Sequence, residues 1–323
     1  MKILITGGGG FIGQKLAKKL CEAGTLNQQK ITGITLADVV EPASSETNIP
    51  VHRIISDISS GSDVDALFEG KPDVIYHLAA IVSGAAEADF DLGMRINLGG
   101  TMNVFSAARK LGESSGTSPM VIYASSVAVH GGEAPETVTD GIELNPQTSY
   151  GIQKSIGELL LQDYSRKGFI DGRGLRLPTV SIRPGKANAA ASSFMSSIFR
   201  DTLQGDNSNC PVGRNFPVWH TAPRTIVENM IHSVSIPAAD FGFNRNLNLP
   251  GRTDTIGEMI DAMTTVAGPD AESRITWETD EVIENIVMGW RSHFAPEKAL
   301  SLGFKADSSF ADSVQYFLED DLV

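Results

Sequence analysis

Tyr150 and Lys154 stand four residues apart in the run Tyr150-Gly151-Ile152-Gln153-Lys154, a spacing that puts both side chains on one face of a helix. A phenol is a poor base near neutral pH, but an ammonium beside it stabilises the phenolate and draws its pKa toward the working range. The same ammonium can hold a ribose hydroxyl. Upstream, Ala124-Ser125-Ser126 closes a short apolar run, so a hydroxyl there can point into the crevice above the end of a strand. The set suits proton exchange with an alcohol or a carbonyl. A tyrosine and a lysine at helical spacing are by themselves commonly surface residues, so the reading depends on what accompanies them.

The companion is a glycine-rich turn, Thr6-Gly7-Gly8-Gly9-Gly10-Phe11-Ile12-Gly13, between the first strand-like segment and the first helical one. Gly7 permits the tight turn, Gly10 lets backbone amides approach a pyrophosphate, and Gly13 lets the helix sit close on the strand. The amides of the helix start, at Phe11 and Ile12, then face the anion with the positive end of the helix dipole. Asp38 ends the next apolar segment, where a carboxylate accepts bonds from both adenosine ribose hydroxyls and repels a 2′-phosphate. The expected cofactor is therefore NAD rather than NADP. Asp57-Ile58 follows the third strand and is placed to meet the adenine, with Asp57 equally readable as a loop or helix cap.

Strand-like segments at Lys2–Thr6, Lys30–Ala37, Val51–Ile55, Val74–His77 and Val121–Tyr123 position these residues. They alternate with helical patterns at Phe11–Ala23, Ser62–Phe68, Leu92–Leu111 and Ser149–Ser165. A sixth strand is expected at Thr179–Arg183, stopped by Pro184-Gly185. The alternation predicts an α/β fold: a Rossmann-type, doubly wound parallel sheet with helices on both faces. After about residue 188 the rhythm weakens into short helical stretches, such as Ser193–Leu203 and Arg224–Val234, between loops rich in Gly, Asn and Pro. The expected organisation is an NAD-binding domain over residues 1–187. Residues 188–323 then form a smaller substrate lobe, part of which can return to the sheet.

A net charge of −13 speaks against a nucleic-acid partner, which would need a basic face. With 41% hydrophobic residues and no long apolar run, a membrane partner is not expected either. Cys21 and Cys210 are the only cysteines, too few for a zinc cluster or a disulfide framework. The opening residues lack the pattern of an export signal. These features predict a cytoplasmic protein without a metal. His77 ends an apolar strand and reads as a core histidine, and His220 has no companions at ligand spacing.

The order of the glycine turn, Asp38, Asp57, His77-Leu78-Ala79-Ala80, Asn97, Ser126 and Tyr150/Lys154 resembles the extended short-chain dehydrogenases/reductases, the epimerase/dehydratase-like group, over about the first 190 residues. The resemblance implies that Tyr150 exchanges the substrate hydroxyl proton, Lys154 lowers its pKa and binds ribose, and Ser126 orients the oxygen. Ser126 is preferred because the family's catalytic hydroxyl precedes the loop glycine, here Gly131, by five residues; Ser125 is the fallback. Leu78, Ala79 and Ala80 are expected at the cofactor, and Asn97 steadies backbone or a relay water, with a purely structural Asn as the alternative. Two departures stand out: His130 where sugar-nucleotide epimerases carry Tyr, which weakens an epimerase reading, and Met102 after Thr101.

The segments Arg183-Pro184-Gly185-Lys186-Ala187-Asn188-Ala189-Ala190-Ala191-Ser192-Ser193-Phe194 and Trp219-His220-Thr221-Ala222-Pro223-Arg224 resemble a branch of the family that acts on carbon 2 of small hydroxylated acids such as D-erythronate. That resemblance implies a cation for the substrate carboxylate, with Arg224 the first candidate. Asn188 and Ser83 are expected to bond the other hydroxyls, although each also reads as an ordinary turn or loop residue. Two alternatives remain: a nucleotide-sugar epimerase or dehydratase that keeps its NAD, and a non-catalytic dinucleotide-sensing protein. A homodimer through the helices of Leu92–Leu111 and Tyr150 is a further expectation from the family.

Overall fold

The computed structural model describes residues 1–43, 47–186, 191–281, 283 and 287–322. Its largest sheet has seven strands: β1 (Lys2–Thr6), β2 (Gly33–Asp38), β3 (Val51–Ile55), β4 (Val74–His77), β5 (Met120–Ser126), β6 (Asp171–Leu177) and β7 (Asn246–Asn248). They lie in the order β7-β6-β5-β4-β1-β2-β3, and β3, β2, β1, β4 and β5 pair in parallel. Every residue of β4 is buried, as a central parallel strand covered on both faces must be. Strand order reverses between β1 and β4, the place where such sheets open a crevice at their carboxyl ends.

Helices α1 (Phe11–Ala23), α2 (Gly61–Phe68), α3 (Ser83–Ala88), α4 (Thr101–Ser115) and α5 (Ser149–Arg166) follow the strands. Leu4, Ile75, Val121 and Tyr123 of the sheet form one core with Val64 and Leu67 of α2, Val104 and Phe105 of α4, and Leu161 of α5. Helix α1 buries Gly13, Leu16, Ala17 and Leu20 and packs on β1 and β2 outside that core, so both faces are covered. Thr148 caps α5 by accepting the Gly151 N–H at 3.1 Å.

Two expectations need correction. The sixth strand of the sheet is Asp171–Leu177, while Thr179–Val180 pairs with Pro217–Thr221 in a separate three-stranded sheet. The charges of Asp171-Gly172-Arg173-Gly174-Leu175-Arg176 hide the strand in the sequence, and ion pairs neutralise them: Arg173 bonds Asp171 of the same strand at 2.8 Å and Arg176 bonds Glu158 of α5 at 2.7 Å. The helix expected at Leu92–Leu111 runs unbroken but is not α-helical throughout. A turn of α-helix at Phe90–Gly93 leads into a π-helix at Met94–Gly100, and only then does α4 begin.

The chain divides into two compact units: residues 1–126, 148–176 and 227–247, and residues 127–147, 177–226 and 248–323. The first therefore regains a late segment, which supplies β7 at the edge of the sheet. The second has its own core, in which Phe194, Ile198 and Phe199 meet Met259, Ile260, Phe310 and Val314.

Helix α5 lies so close to β5 that a Cβ at Gly157 would collide with the Tyr123 hydroxyl. Gly157→Ala should destabilise the fold by about 1–3 kcal/mol through overpacking, read from the urea midpoint. Gly61→Ala, where the nearest atom is 4.0 Å from the new Cβ, should leave that midpoint nearly unchanged.

Candidate active site

The turn from β1 into α1 has room for backbone only. Gly7 sits at φ +75°, and a Cβ there would lie 2.7 Å from the Ala79 nitrogen. A Cβ on Gly8 would lie 2.8 Å from Leu36 Cβ, and one on Gly13 would strike the Gly7 carbonyl. Gly10 N–H donates to the Gly7 carbonyl at 3.1 Å and closes the turn. Helix α1 starts without a side-chain cap, so the amides of its first turn, at Phe11 and Ile12, are the groups an anion would meet. The contribution of Gly8, packed on β2, was missed in the sequence because a run of four glycines does not show which of them are crowded.

At the end of β2, Asp38 accepts the Gly9 N–H through Oδ2 at 2.9 Å and the Val39 N–H through Oδ1 at 2.8 Å. The carboxylate is thereby fixed beside the glycine turn. Leu78 donates its N–H to the Thr6 carbonyl at 3.0 Å, laying Leu78, Ala79 and Ala80 along the other side of the turn. Asp57 accepts the Ser59 N–H at 2.8 Å and so acts as a turn cap, while Ser60 caps α2. The Ile58 side chain is buried against Gly100, where a Cβ would come within 2.5 Å of it. A cradle that a Cβ would fill, an uncapped helix start and a carboxylate on the second strand together fit NAD.

The residues expected to transfer the proton come from β5 and α5 of the same unit. Lys154 is only 3% exposed and donates from Nζ to the Ala124 carbonyl at 2.8 Å. Its ammonium lies 5.0 Å from the Tyr123 ring centre and 5.6 Å from that of Tyr150. Burial pushes the Lys154 pKa from its ordinary 10.5 down to about 8, against the opposing charge of Glu158. Ser126, the last residue of β5, is half-buried. Ser125 is buried and donates to Glu158 Oε1 at 2.6 Å, which commits it to the interior and favours Ser126 for a role at the surface of the site.

Asn97 is buried inside the π-helix. Its side-chain oxygen accepts the Ile81 N–H at 2.8 Å, and its amide donates to the Ile81 carbonyl at 3.2 Å and to Gln153 Oε1 at 2.8 Å. It steadies the backbone just past β4, as the sequence reading allowed. Gln153, its partner from α5, was not anticipated; its place beside Lys154 was the available signal. A π-helix widens the turn and commonly marks a functional site.

A model of the NAD dependent epimerase/dehydratase family matches residues 3–223. The chain belongs to this family. Over 99% of its length and 98% of the relative's, it is 46% identical to the D-erythronate dehydrogenase of Cupriavidus necator. It is 43% identical to the D-erythronate dehydrogenase of Haemophilus influenzae, with the whole of both proteins covered. It is also similar to a solved nucleoside-diphosphate-sugar epimerase from Agrobacterium tumefaciens, 44% identical with a TM-score of 0.95 over 100% of this chain and 94% of that one. The protein is an NAD-dependent dehydrogenase of the extended short-chain type, and the non-catalytic alternative falls.

Other family expectations meet the structure unevenly. Arg224 is not placed for a substrate carboxylate: it pairs with Glu319 at 2.8 Å and Asp320 at 2.6 Å and lies over the Tyr316 ring. Its fork is spent joining the helix Pro223–Ser235 to the helix Phe310–Asp320. Ser83 is half-buried in the first turn of α3. Asn188 lies outside the described residues. His77 is a core residue, bonded to Thr6 at 2.8 Å and Thr101 at 3.0 Å, stacked on Tyr123, and pushed by burial down to about 3. His220 bonds Asp254 at 2.8 Å. Among the described residues no three His, Cys, Asp or Glu gather as a metal site, and no helix is long and apolar enough to cross a membrane.

The buried ammonium of Lys154 is a cost to the fold. Below pH 8 both folded and unfolded chains carry the proton and the whole cost applies. Between about 8 and 10.5 the folded chain sheds it first, so stability from this group rises with pH. Lys154→Met should therefore raise the unfolding free energy near neutral pH by about 1–3 kcal/mol. The gain, measured by urea unfolding at several pH values, should shrink above pH 8.

Proposed function

We propose that this enzyme oxidises the carbon-2 hydroxyl of D-erythronate to 2-dehydro-D-erythronate. The observation that carries the reading is the Lys154 ammonium buried beside the Tyr150 ring and held by the Ala124 carbonyl, two residues before Ser126. Its support on the substrate side is the full-length likeness to two proteins named D-erythronate dehydrogenase.

NAD, when bound, supplies the hydride acceptor. Tyr150, as phenolate, removes the hydroxyl proton while the C–H bond on the same carbon is broken, leaving a ketone. Lys154 stabilises the phenolate and reaches the nicotinamide ribose, and Ser126 donates to the substrate oxygen and orients it. The residues for the dinucleotide are Gly7, Gly10, Phe11, Ile12 and Gly13 at the pyrophosphate, Asp38 at the adenosine ribose, and Asp57 with the Ile58 backbone toward the adenine. Leu78, Ala79, Ala80 and Asn97 line the far side. Ser83 and Asn188 remain the proposed contacts for the other substrate hydroxyls.

Incubation with NAD and D-erythronate should produce reduced nicotinamide in equal amount to the acid consumed. Tyr150→Phe should lower the rate by about 100- to 10,000-fold, the usual share of a general base, with NAD affinity nearly unchanged. A Tyr150→Phe enzyme of near-normal rate overturns the mechanism. The second reading, a nucleotide-sugar epimerase, is favoured by the similar solved epimerase. It predicts interconversion of a nucleotide sugar with no net reduced cofactor.

We also propose a homodimer. Phe90, Met102 on α4, and Ile152 and Leu159 on α5 are large apolar side chains at 46–61% exposure, and Ile152 and Leu159 share one helical face. Light scattering should give twice the chain mass, and Leu159→Arg should give a folded monomer. A monomeric wild-type protein at micromolar concentration refutes the assembly.

A further inference from the structure

A buried ion pair lies directly behind the proton-transfer site. Glu158 is 1% exposed and Arg176 5%, and they join through Arg176 Nε to Glu158 Oε1 at 2.9 Å and Arg176 Nη2 to Oε2 at 2.7 Å. Such a pair is weak support for stability, because the desolvation of both ions offsets their attraction and apolar replacements often do as well. Its location calls for another explanation. Glu158 follows Lys154 by one helical turn on the buried face of α5, and its Oε1 also accepts the Ser125 hydroxyl at 2.6 Å. The strand end is thus stitched to α5 twice in succession, by Lys154 to the Ala124 carbonyl and by Ser125 to Glu158. The next residue along is Ser126.

We propose that Glu158 is a positioning residue for the proton chemistry: held by Arg176, its carboxylate keeps Lys154 charged and, through Ser125, fixes the strand end bearing Ser126 against the helix bearing Tyr150. This rests on the Ser126, Tyr150 and Lys154 roles proposed above. The groups around the ammonium are the Tyr150 ring on its own helix, the Tyr123 ring on β5, His77 on β4, Glu158, and Arg176 on β6 behind it. Burial keeps His77 neutral and Tyr123 protonated. Glu158 is therefore the standing negative charge in this set, and its charge acts on Lys154 in the direction opposite to burial. Loss of that charge lets the ammonium give up its proton at lower pH, and a neutral amine does not stabilise the Tyr150 phenolate.

The test reads Lys154 directly, without turnover. In protein carrying 13Cε-labelled lysine and no cofactor, the Lys154 resonance is assigned by its loss in Lys154→Arg and titrated by NMR. Glu158→Gln, which keeps the size and an acceptor for Ser125, should move the midpoint acid by about one pH unit or more. The alkaline limb of the kcat/KM profile should move with it, and Glu158→Asp should restore most of both. Should Glu158→Gln leave Arg176 too poorly matched to fold, Glu158→Gln with Arg176→Gln removes both charges; because the loss of the guanidinium favours the ammonium, its midpoint should still move acid but by less than in the single variant. An unmoved Lys154 midpoint in either variant overturns the proposal, as does a double variant that cannot fold, since the pair then serves stability alone. Failure of the reaction reading is separate: it appears as Tyr150→Phe activity, whatever the Lys154 titration does.

Discussion

One buried ammonium constrains the packing around the proposed site. Lys154 reaches from α5 to the Ala124 carbonyl at the end of β5 and is sealed from water between the rings of Tyr123 and Tyr150. A buried cation is tolerated only with a fixed acceptor and a nearby opposite charge, so its neighbours are constrained in turn. Gly157 must lack a side chain for the helix to approach the strand. Gln153, one residue before the lysine, holds Asn97 and through it the chain past β4. A helix and two strand ends are thereby tied to one position.

The dinucleotide cradle rests on a different kind of constraint, steric rather than electrostatic. Gly7, Gly8 and Gly13 face Ala79, Leu36 and the turn itself at distances that exclude any Cβ. The end of β1 is thereby wedged between those of β2 and β4. Asp38 then takes its place by bonding the backbone of the turn it serves, so the acid and the anion site are positioned by the same few atoms. This cradle lies where strand order reverses, between β1 and β4, the point at which α/β sheets offer ligands access to several strand ends at once.

Much of this was legible in the sequence, for physical reasons that differ by element. Strands β1, β3 and β4 and helix α1 fall where apolar periodicity and flanking glycines put them, because local pattern and tertiary environment agree there. Strand β6 was missed, since Arg173 and Arg176 look like surface residues; Arg173 pairs with Asp171 on the strand itself, and only the fold brings Glu158 of α5 to Arg176. The buried face of α5 carries Gln153, Lys154, Ser155 and Glu158, which hydropathy reads as exposed. Arg224 was given a substrate role from the family resemblance and the grip of a guanidinium on a carboxylate, and its acidic partners stand almost a hundred residues later, beyond the reach of spacing arguments. Ser126 over Ser125 rested on family spacing, and spacing could not show that Ser125 is buried against Glu158 while Ser126 is half-buried.

The π-helix at Met94–Gly100 has a further consequence. Each residue of an ordinary helix advances the side chains by about 100 degrees, so a deletion that restored regular winding would turn everything after it by that angle. Val104, Phe105 and Ala108, which face the sheet core, would rotate away from it, while an unshifted downstream helix would carry Asn97 off Ile81 and Gln153 instead. The irregular turn thus acts as a phase adjuster between two surfaces that need different azimuths. Loss of a single codon there would force the chain to surrender one of them.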